Sequence, residues 1–228
     1  MDDARAGEAV EGEGLDGAAL APRTVGILGA GRVGAVLARL CRDAGIPVTT
    51  ASSADDPAAA CAADVVILAI PLGRYRTLPR TLLEGRLVVD AMNYWWELDG
   101  ARPDLDDPST STSETVATFL RGARLVKAFN HASVWELANL AHPPGHPDRR
   151  GIAVAGDDAR DRAAVAALVD ALGFDPVDAG PLAAGVMVEP ATEAFGSGAT
   201  ADELRAMLDR FPRSQRGRVV ARARGRAG

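Results

Sequence analysis

Apolar residues are arranged along this chain as short dense runs alternating with stripes at helical spacing. Residues 24–28 (TVGIL) form an apolar run followed at once by glycine, the pattern of a strand buried on both faces. Val33, Val36, Leu37, Leu40 and Ala44 then recur at helical spacing, Arg32, Arg39 and Arg42 fall off that stripe, and Gly45 stops the helix. Residues 46–50 read as a second strand. Further buried strands are predicted at 64–70 (DVVILAI, broken by Pro71-Leu72-Gly73), 87–92, 124–129 and 151–156, with a last one at 174–178. Ser111 with Glu114 predicts a capping box for a helix running to Leu120. Asp157 is the predicted cap of a helix striped by Val165, Leu168, Val169 and Leu172, and Thr200 with Glu203 opens a last helix near 201–210. Strands alternating with helices predict an α/β fold with a doubly wound, mostly parallel sheet.

The segment joining the first run to the first helix is Gly29-Ala30-Gly31-Arg32-Val33-Gly34, a G-x-G-x-x-G turn between a strand and an amphipathic helix. In that setting the first glycine permits the tight turn, the second lets the backbone approach a pyrophosphate, and the third lets helix and strand pack closely. A Rossmann-type sheet binding a nicotinamide dinucleotide follows. The stretch after the second strand, Ala51-Ser52-Ser53-Ala54, selects between the two nicotinamide cofactors. With no acid in that stretch, two hydroxyls, and Arg32 on the neighbouring loop, NADP is favoured over NAD, while Asp55 and Asp56 keep NAD open. The remaining strand ends supply Ile70, Pro71, Leu72, Met92, Asn93, Asn130 and His131. Asn93 and Asn130 suit a carboxamide or ring carbonyl, and His131 is a candidate acid or charge stabiliser. Tyr94, Trp95 and Trp96 follow a strand end and serve either as core or as a stacking wall for a planar second cofactor. Lys127, the only lysine, is either a functional cation or an end-of-strand snorkel.

Composition narrows the class. With 228 residues, 47% apolar and 25% charged, the chain lies in the ordinary globular range, and no apolar run reaches the ~20 residues of a membrane span. The first 22 residues have neither the basic start nor the apolar stretch of a secretory signal, so a cytoplasmic location is expected. Cys41 and Cys61 have no metal or redox spacing and are expected to be buried and inert; His142 and His146 stand in a proline-rich loop, and no metal is expected. The net charge of −6 is uneven, with acids concentrated near the start and arginines in residues 213–228. The expected organisation is a disordered acidic tail at 1–22, a dinucleotide-binding domain at 23–145, a small C-terminal α/β extension of the same fold at 146–212 and a disordered basic tail at 213–228. Arginines without interleaved aromatics do not make a specific nucleic-acid site.

From residue 24 to 208 the chain resembles the coenzyme F420-dependent NADP oxidoreductases and their dinucleotide-binding relatives. The resemblance lies in the glycine turn and in the segments 69–71 (AIP), 90–95 (DAMNYW), 126–130 (VKAFN), 155–158 (AGDD) and 178–182 (DAGPL), in this order. It implies hydride transfer between NADP or NAD and a deazaflavin or flavin. Ala30, Arg32, Val33, Ser52, Ser53, Ile70 and Pro71 would hold the dinucleotide, and Met92, Asn93 and Asn130 would border the deazaflavin. The chain departs from the family in lacking an arginine after Ser53, where NADP-using members carry a Ser-Arg pair, and in its short link from Ser53 to Asp64. Two other readings are a reductase of a small imine or keto acid, and a non-catalytic NAD(P)-sensing or partner-binding module. A homodimer that covers the aromatic segment is expected.

Overall fold

The computed structural model describes residues 21–227. Strand β1 (Val25–Leu28) leads through the glycine turn into α1 (Arg32–Asp43), followed by β2 (Val48–Ala51), α2 (Ala58–Cys61) and β3 (Val65–Leu68). A 3-10 turn (Leu72–Thr77), α3 (Arg80–Leu83), β4 (Leu87–Asp90), α4 (Trp96–Asp99), α5 (Thr112–Phe119), β5 (Arg124–Lys127) and α6 (Val134–Asn139) complete the first half. The second half contains β6 (Gly151–Gly156), α7 (Ala159–Ala171), β7 (Asp175–Gly180), a 3-10 segment (Leu182–Val188), α8 (Ala201–Arg210) and α9 (Gln215–Ala227).

The seven strands form one sheet in the order β2-β1-β3-β4-β5-β6-β7. The first five are parallel, β6 is antiparallel to β5, and β7 is parallel to β6. Alternate strand residues enter opposite cores, which is why the strands read as unbroken apolar runs. Ile27, Ile67 and Val89 pack with Leu37 and Cys41 of α1 and Val165 and Leu168 of α7. Leu28, Leu68 and Val88 pack on the other face with Cys61, Leu72, Leu83 and Val116. A third cluster joins Ala153 and Val177 to Leu204 and Leu208 of α8.

Both cysteines are buried, and burial pushes the Cys41 thiol up to about 11. The short link after β2 holds only the four residues of α2, pressed so closely on β1 that a Cβ on Gly26 would overlap the Ala60 carbonyl. The predicted caps of α5 and α8 are present as capping boxes. The cap of α7 is Asp158 rather than Asp157, because the Asp158 carboxylate accepts from the backbone of Arg160 and Asp161 while that of Asp157 accepts from Leu182 N. The basic C-terminal segment is not a disordered tail: from Gln215 it is helix α9, with Val220 buried, Arg216 paired to Glu189, and Arg224 donating to the Ser109 and Ala183 carbonyls. The expectation for residues 1–22 falls, but for its last two residues, outside the described part of the chain. No helix among the described residues is long and apolar enough to cross a membrane.

Lys127 is neither a snorkel nor exposed. Its ammonium is fully buried 3.6 Å from the equally buried Asp90 carboxylate, and it donates to Ser113 Oγ at 3.0 Å. Ser113 Oγ donates in turn to Asp90 Oδ2 at 2.6 Å, and Asp90 Oδ1 accepts from Met92 N at 2.9 Å. Next to it, Glu189 accepts from Thr112 N at 2.7 Å and pairs with Arg216 at 3.1 Å, so the network runs from β4 and β5 through α5 to α9. Replacing Lys127 by Met leaves a carboxylate buried without its cation and is expected to cost about 3–5 kcal/mol in urea unfolding. The double substitution with Asp90→Asn is expected to recover part of that loss.

Candidate functional site

The parallel register brings the carboxyl ends of β2, β1, β3, β4 and β5 to one edge in that order. The chain reverses direction across the sheet at β1, with β2 on one side and β3 on the other, and ligands of open α/β sheets lie at such a point. A cleft of about 560 Å³ opens there, walled by Gly29, Ala30, Gly31, Ser52, Ser53, Asp55, Ile70, Pro71 and Arg74 among others.

The three glycines divide the labour that their spacing predicts. Gly29 has φ +124°, and a Cβ there would overlap the Ala69 carbonyl of the adjoining segment. Gly34 is buried against Gly29, whose carbonyl oxygen a Cβ would strike. At Gly31 an added Cβ meets nothing within 4 Å, so this glycine keeps open space clear rather than serving a packing contact. Gly31 caps α1, and the N–H groups of Arg32 and Val33 have no acceptor among the described residues. With the helix dipole behind them, these donors suit an anionic pyrophosphate. Val33 is half-buried and the Arg32 side chain lies outside the cleft wall.

The β2 tip differs from the sequence expectation in one respect. Asp55, three residues beyond Ser52, folds back so that its Oδ2 accepts from Ser52 N at 2.8 Å and Ser52 Oγ at 2.6 Å. These bonds hold the Asp55 carboxyl below its ordinary range. An acid therefore stands at the tip, and the Ser52 hydroxyl is committed to it.

Farther along the same edge, Asn93 and Asn130 pair with each other. Asn130 Nδ2 donates to Asn93 Oδ1 at 3.1 Å and to the Val188 carbonyl at 2.7 Å, while Asn93 Nδ2 donates to the Asn130 carbonyl at 2.6 Å. Asn130 Oδ1 is buried and accepts nothing among the described residues. The preceding Phe129 has φ +64°, a left-handed conformation that an aromatic residue holds only under tertiary constraint, and it turns the chain out of β5 at this point.

Three expected site residues belong elsewhere. Leu72 and Met92 are core side chains. His131 is buried and its Nε2 accepts from Ala153 N at 3.0 Å; burial, reinforced by the Lys127 charge, pushes the imidazole down to about 4. It is a neutral structural acceptor whose Nε2 lone pair is already occupied and so is not available to take a proton. Trp95 stacks edge-on with Phe195 at 5.6 Å, while Trp96, Leu98 and Trp135 are exposed. No cluster of metal-ligating side chains occurs among the described residues. Sequence reasoning missed Arg74 and the fold-back of Asp55. The Arg74 position becomes legible only as the helical turn after Pro71 carries it to the cleft wall.

No family model matches the chain. Among solved structures, the hypothetical protein SMa0349 of Sinorhizobium meliloti is 30% identical with a TM-score of 0.64, over 78% of this chain and 93% of that one. An Arthrobacter sp. protein, provisionally assigned as an F420-dependent NADP reductase, is 24% identical with a TM-score of 0.58, over 70% and 85% of the two chains. A reductive aminase of Aspergillus terreus, solved with NADPH and ethyl-5-oxohexanoate, is 18% identical with a TM-score of 0.51; the match covers 82% of this chain but only 61% of that enzyme. The last two likenesses establish the shared dinucleotide-binding fold.

Gly34→Ala is expected to lower the thermal midpoint by several degrees, since its Cβ meets backbone, whereas Gly31→Ala leaves the midpoint unchanged and weakens dinucleotide binding. The His131 shift also has a pH signature. The unfolded chain takes up this proton near the ordinary imidazole value of 6.5 and the folded chain only near 4, so between these values the unfolded state binds more protons. Stability is complete above pH 6.5 and falls as pH drops toward 4. Denaturant titrations across that window are expected to show a loss on the order of 3 kcal/mol, with a flatter profile in His131→Gln.

Proposed function

The chain belongs to one family with the Sinorhizobium meliloti protein SMa0349, and from that premise we propose that it is an oxidoreductase passing a hydride between a nicotinamide dinucleotide and a second planar redox cofactor, coenzyme F420 or a flavin. The observation that carries this reading is the glycine turn at the strand-order reversal, where Gly31 leaves open the space that a Cβ would enter. The Arthrobacter and Aspergillus neighbours, assigned to or solved with the nicotinamide cofactor on the same fold, add support.

The two bound cofactors supply the hydride chemistry themselves, so the protein has to bind, align and keep water away. The free N–H groups of Arg32 and Val33 suit the pyrophosphate, and Ile70 and Pro71 form an apolar wall at the end of β3. Asn130 Oδ1, buried and lacking a donor, suits an N–H of a carboxamide or of a deazaflavin or flavin ring. Asn93 and Val188 fix that amide by occupying its other atom. Direct hydride transfer between rings asks for no side-chain proton at this point, in keeping with a buried, neutral His131 whose Nε2 is occupied. A reductase of imines or keto acids has to deliver a proton as well, and the chain spans only 61% of the Aspergillus enzyme's length.

Anaerobic assays with purified protein, NADH or NADPH, and oxidised F420 or flavin, following both chromophores, test the proposal. Turnover with one acceptor is the expected outcome, and Asn130→Ala is expected to lower kcat/KM by about tenfold or more. Binding of the dinucleotide without turnover on either acceptor would replace the enzyme by a nucleotide-sensing module.

A further inference from the structure

On the reading that the cleft takes a nicotinamide dinucleotide, the β2 tip determines which one. In this fold the adenosine ribose lies beside the end of β2, where a carboxylate accepts from the ribose hydroxyls and repels a 2′-phosphate. Here the carboxylate comes from Asp55. One of its oxygens, Oδ2, takes two of the donors that a phosphate oxygen would seek at this tip, Ser52 N and Ser52 Oγ, and leaves those of Ser53 on the same cleft wall. The other, Oδ1, accepts nothing among the described residues, and Asp55 is one of the residues that wall the cleft. Ala54 N donates to Ser52 Oγ at 3.2 Å and Asp55 N to the Ser52 carbonyl at 3.3 Å, so the four-residue turn closes on itself and holds the carboxylate in place. Neighbouring Asp56 is committed elsewhere, accepting from Ala58 N ahead of α2.

We infer that Asp55 reads the 2′ position of the adenosine ribose, so that this chain takes NADH in preference to NADPH. A 2′-phosphate would have to displace the carboxylate from Ser52 or sit beside it as a like charge. The cations within reach do not reverse this. No arginine follows Ser53, and the exposed Arg32 is not among the residues that wall the cleft. Arg74 lies on the cleft wall through the 3-10 turn after β3, whereas Ser52 and Asp55 follow β2, two strands away in the sheet. Its guanidinium, without a partner among the described residues, suits the face of the adenine ring. The reading reverses the preference for NADP drawn from the two serines, for Asp55 has folded onto the first of them and brings a carboxylate to the same cleft wall as the second.

The test is a set of dissociation constants for NADH and NADPH, measured by calorimetry on the full chain and on Asp55→Asn and Arg74→Ala. Asparagine keeps an acceptor for Ser52 but removes the charge, so the turn survives. The wild-type chain is expected to bind NADH at least about tenfold more tightly than NADPH, and Asp55→Asn to shrink that ratio by about tenfold. Arg74→Ala is expected to weaken both ligands by a similar factor. A wild-type preference for NADPH, an unchanged ratio in Asp55→Asn, or a loss in Arg74→Ala confined to NADPH would each overturn the inference while leaving the dinucleotide reading intact. Failure of the wild-type chain to bind either ligand would remove that reading and this inference together.

Discussion

A lysine ammonium at full burial commits everything around it. Lys127 is stabilised only because Asp90 faces it across adjacent strands and because Ser113 bonds to both. Desolvating two charges costs several kcal/mol each, and the pair recovers that cost only with its remaining hydrogen bonds satisfied. That requirement fixes α5 over β4 and β5, and through Thr112, Glu189 and Arg216 it draws the C-terminal helices onto the same spot. The carboxyl ends of β4 and β5, and with them Met92, Asn93 and Asn130, lie over this paired Lys127 and Asp90, and Met92 N is bonded directly to Asp90.

The cleft at the other end of the same edge is built by a different constraint, the close approach of backbone to backbone. Gly29 and Gly34 exist where side chains would collide with carbonyl oxygens, and Gly26 lets α2 settle on β1 in the same way. Such contacts bring the glycine turn that leads into α1 against the end of β3 and onto the cleft wall. The polar side chains on the cleft wall are Ser52, Ser53, Asp55 and Arg74, and the amides of Asn93 and Asn130 lie farther along the same edge. The strain at Phe129 belongs with this: a positive φ at an aromatic residue places Asn130 against Asn93, held by the bond to the Val188 carbonyl.

The strands, the glycine turn and the capping boxes at Ser111 and Thr200 were legible in the sequence because each depends on residues within one turn or one run of each other. So was the identity of the strand-end residues, since a parallel sheet puts all carboxyl ends on one edge. The role of His131 was not legible, because burial and the bond to Ala153 N come from β6, 22 residues away in sequence. Leu72 and Met92 sit at strand ends yet turn into the core, a matter of side-chain direction that sequence position alone leaves open.

The basic segment after residue 213 looked like a solvated tail because its six arginines lack an obvious apolar stripe, yet Val220 packs under it and two of the arginines reach carboxylates on distant elements. Local patterning thus determined the seven strands and the longer helices α1, α5, α7 and α8, and it determined that a dinucleotide turn lies between the first strand and helix, since these follow from interactions close along the chain. Long-range packing alone decided which charges are buried in pairs, which histidine is inert and which acid reaches the tip of β2. The energies of those groups depend on neighbours supplied by strands and helices far removed in sequence.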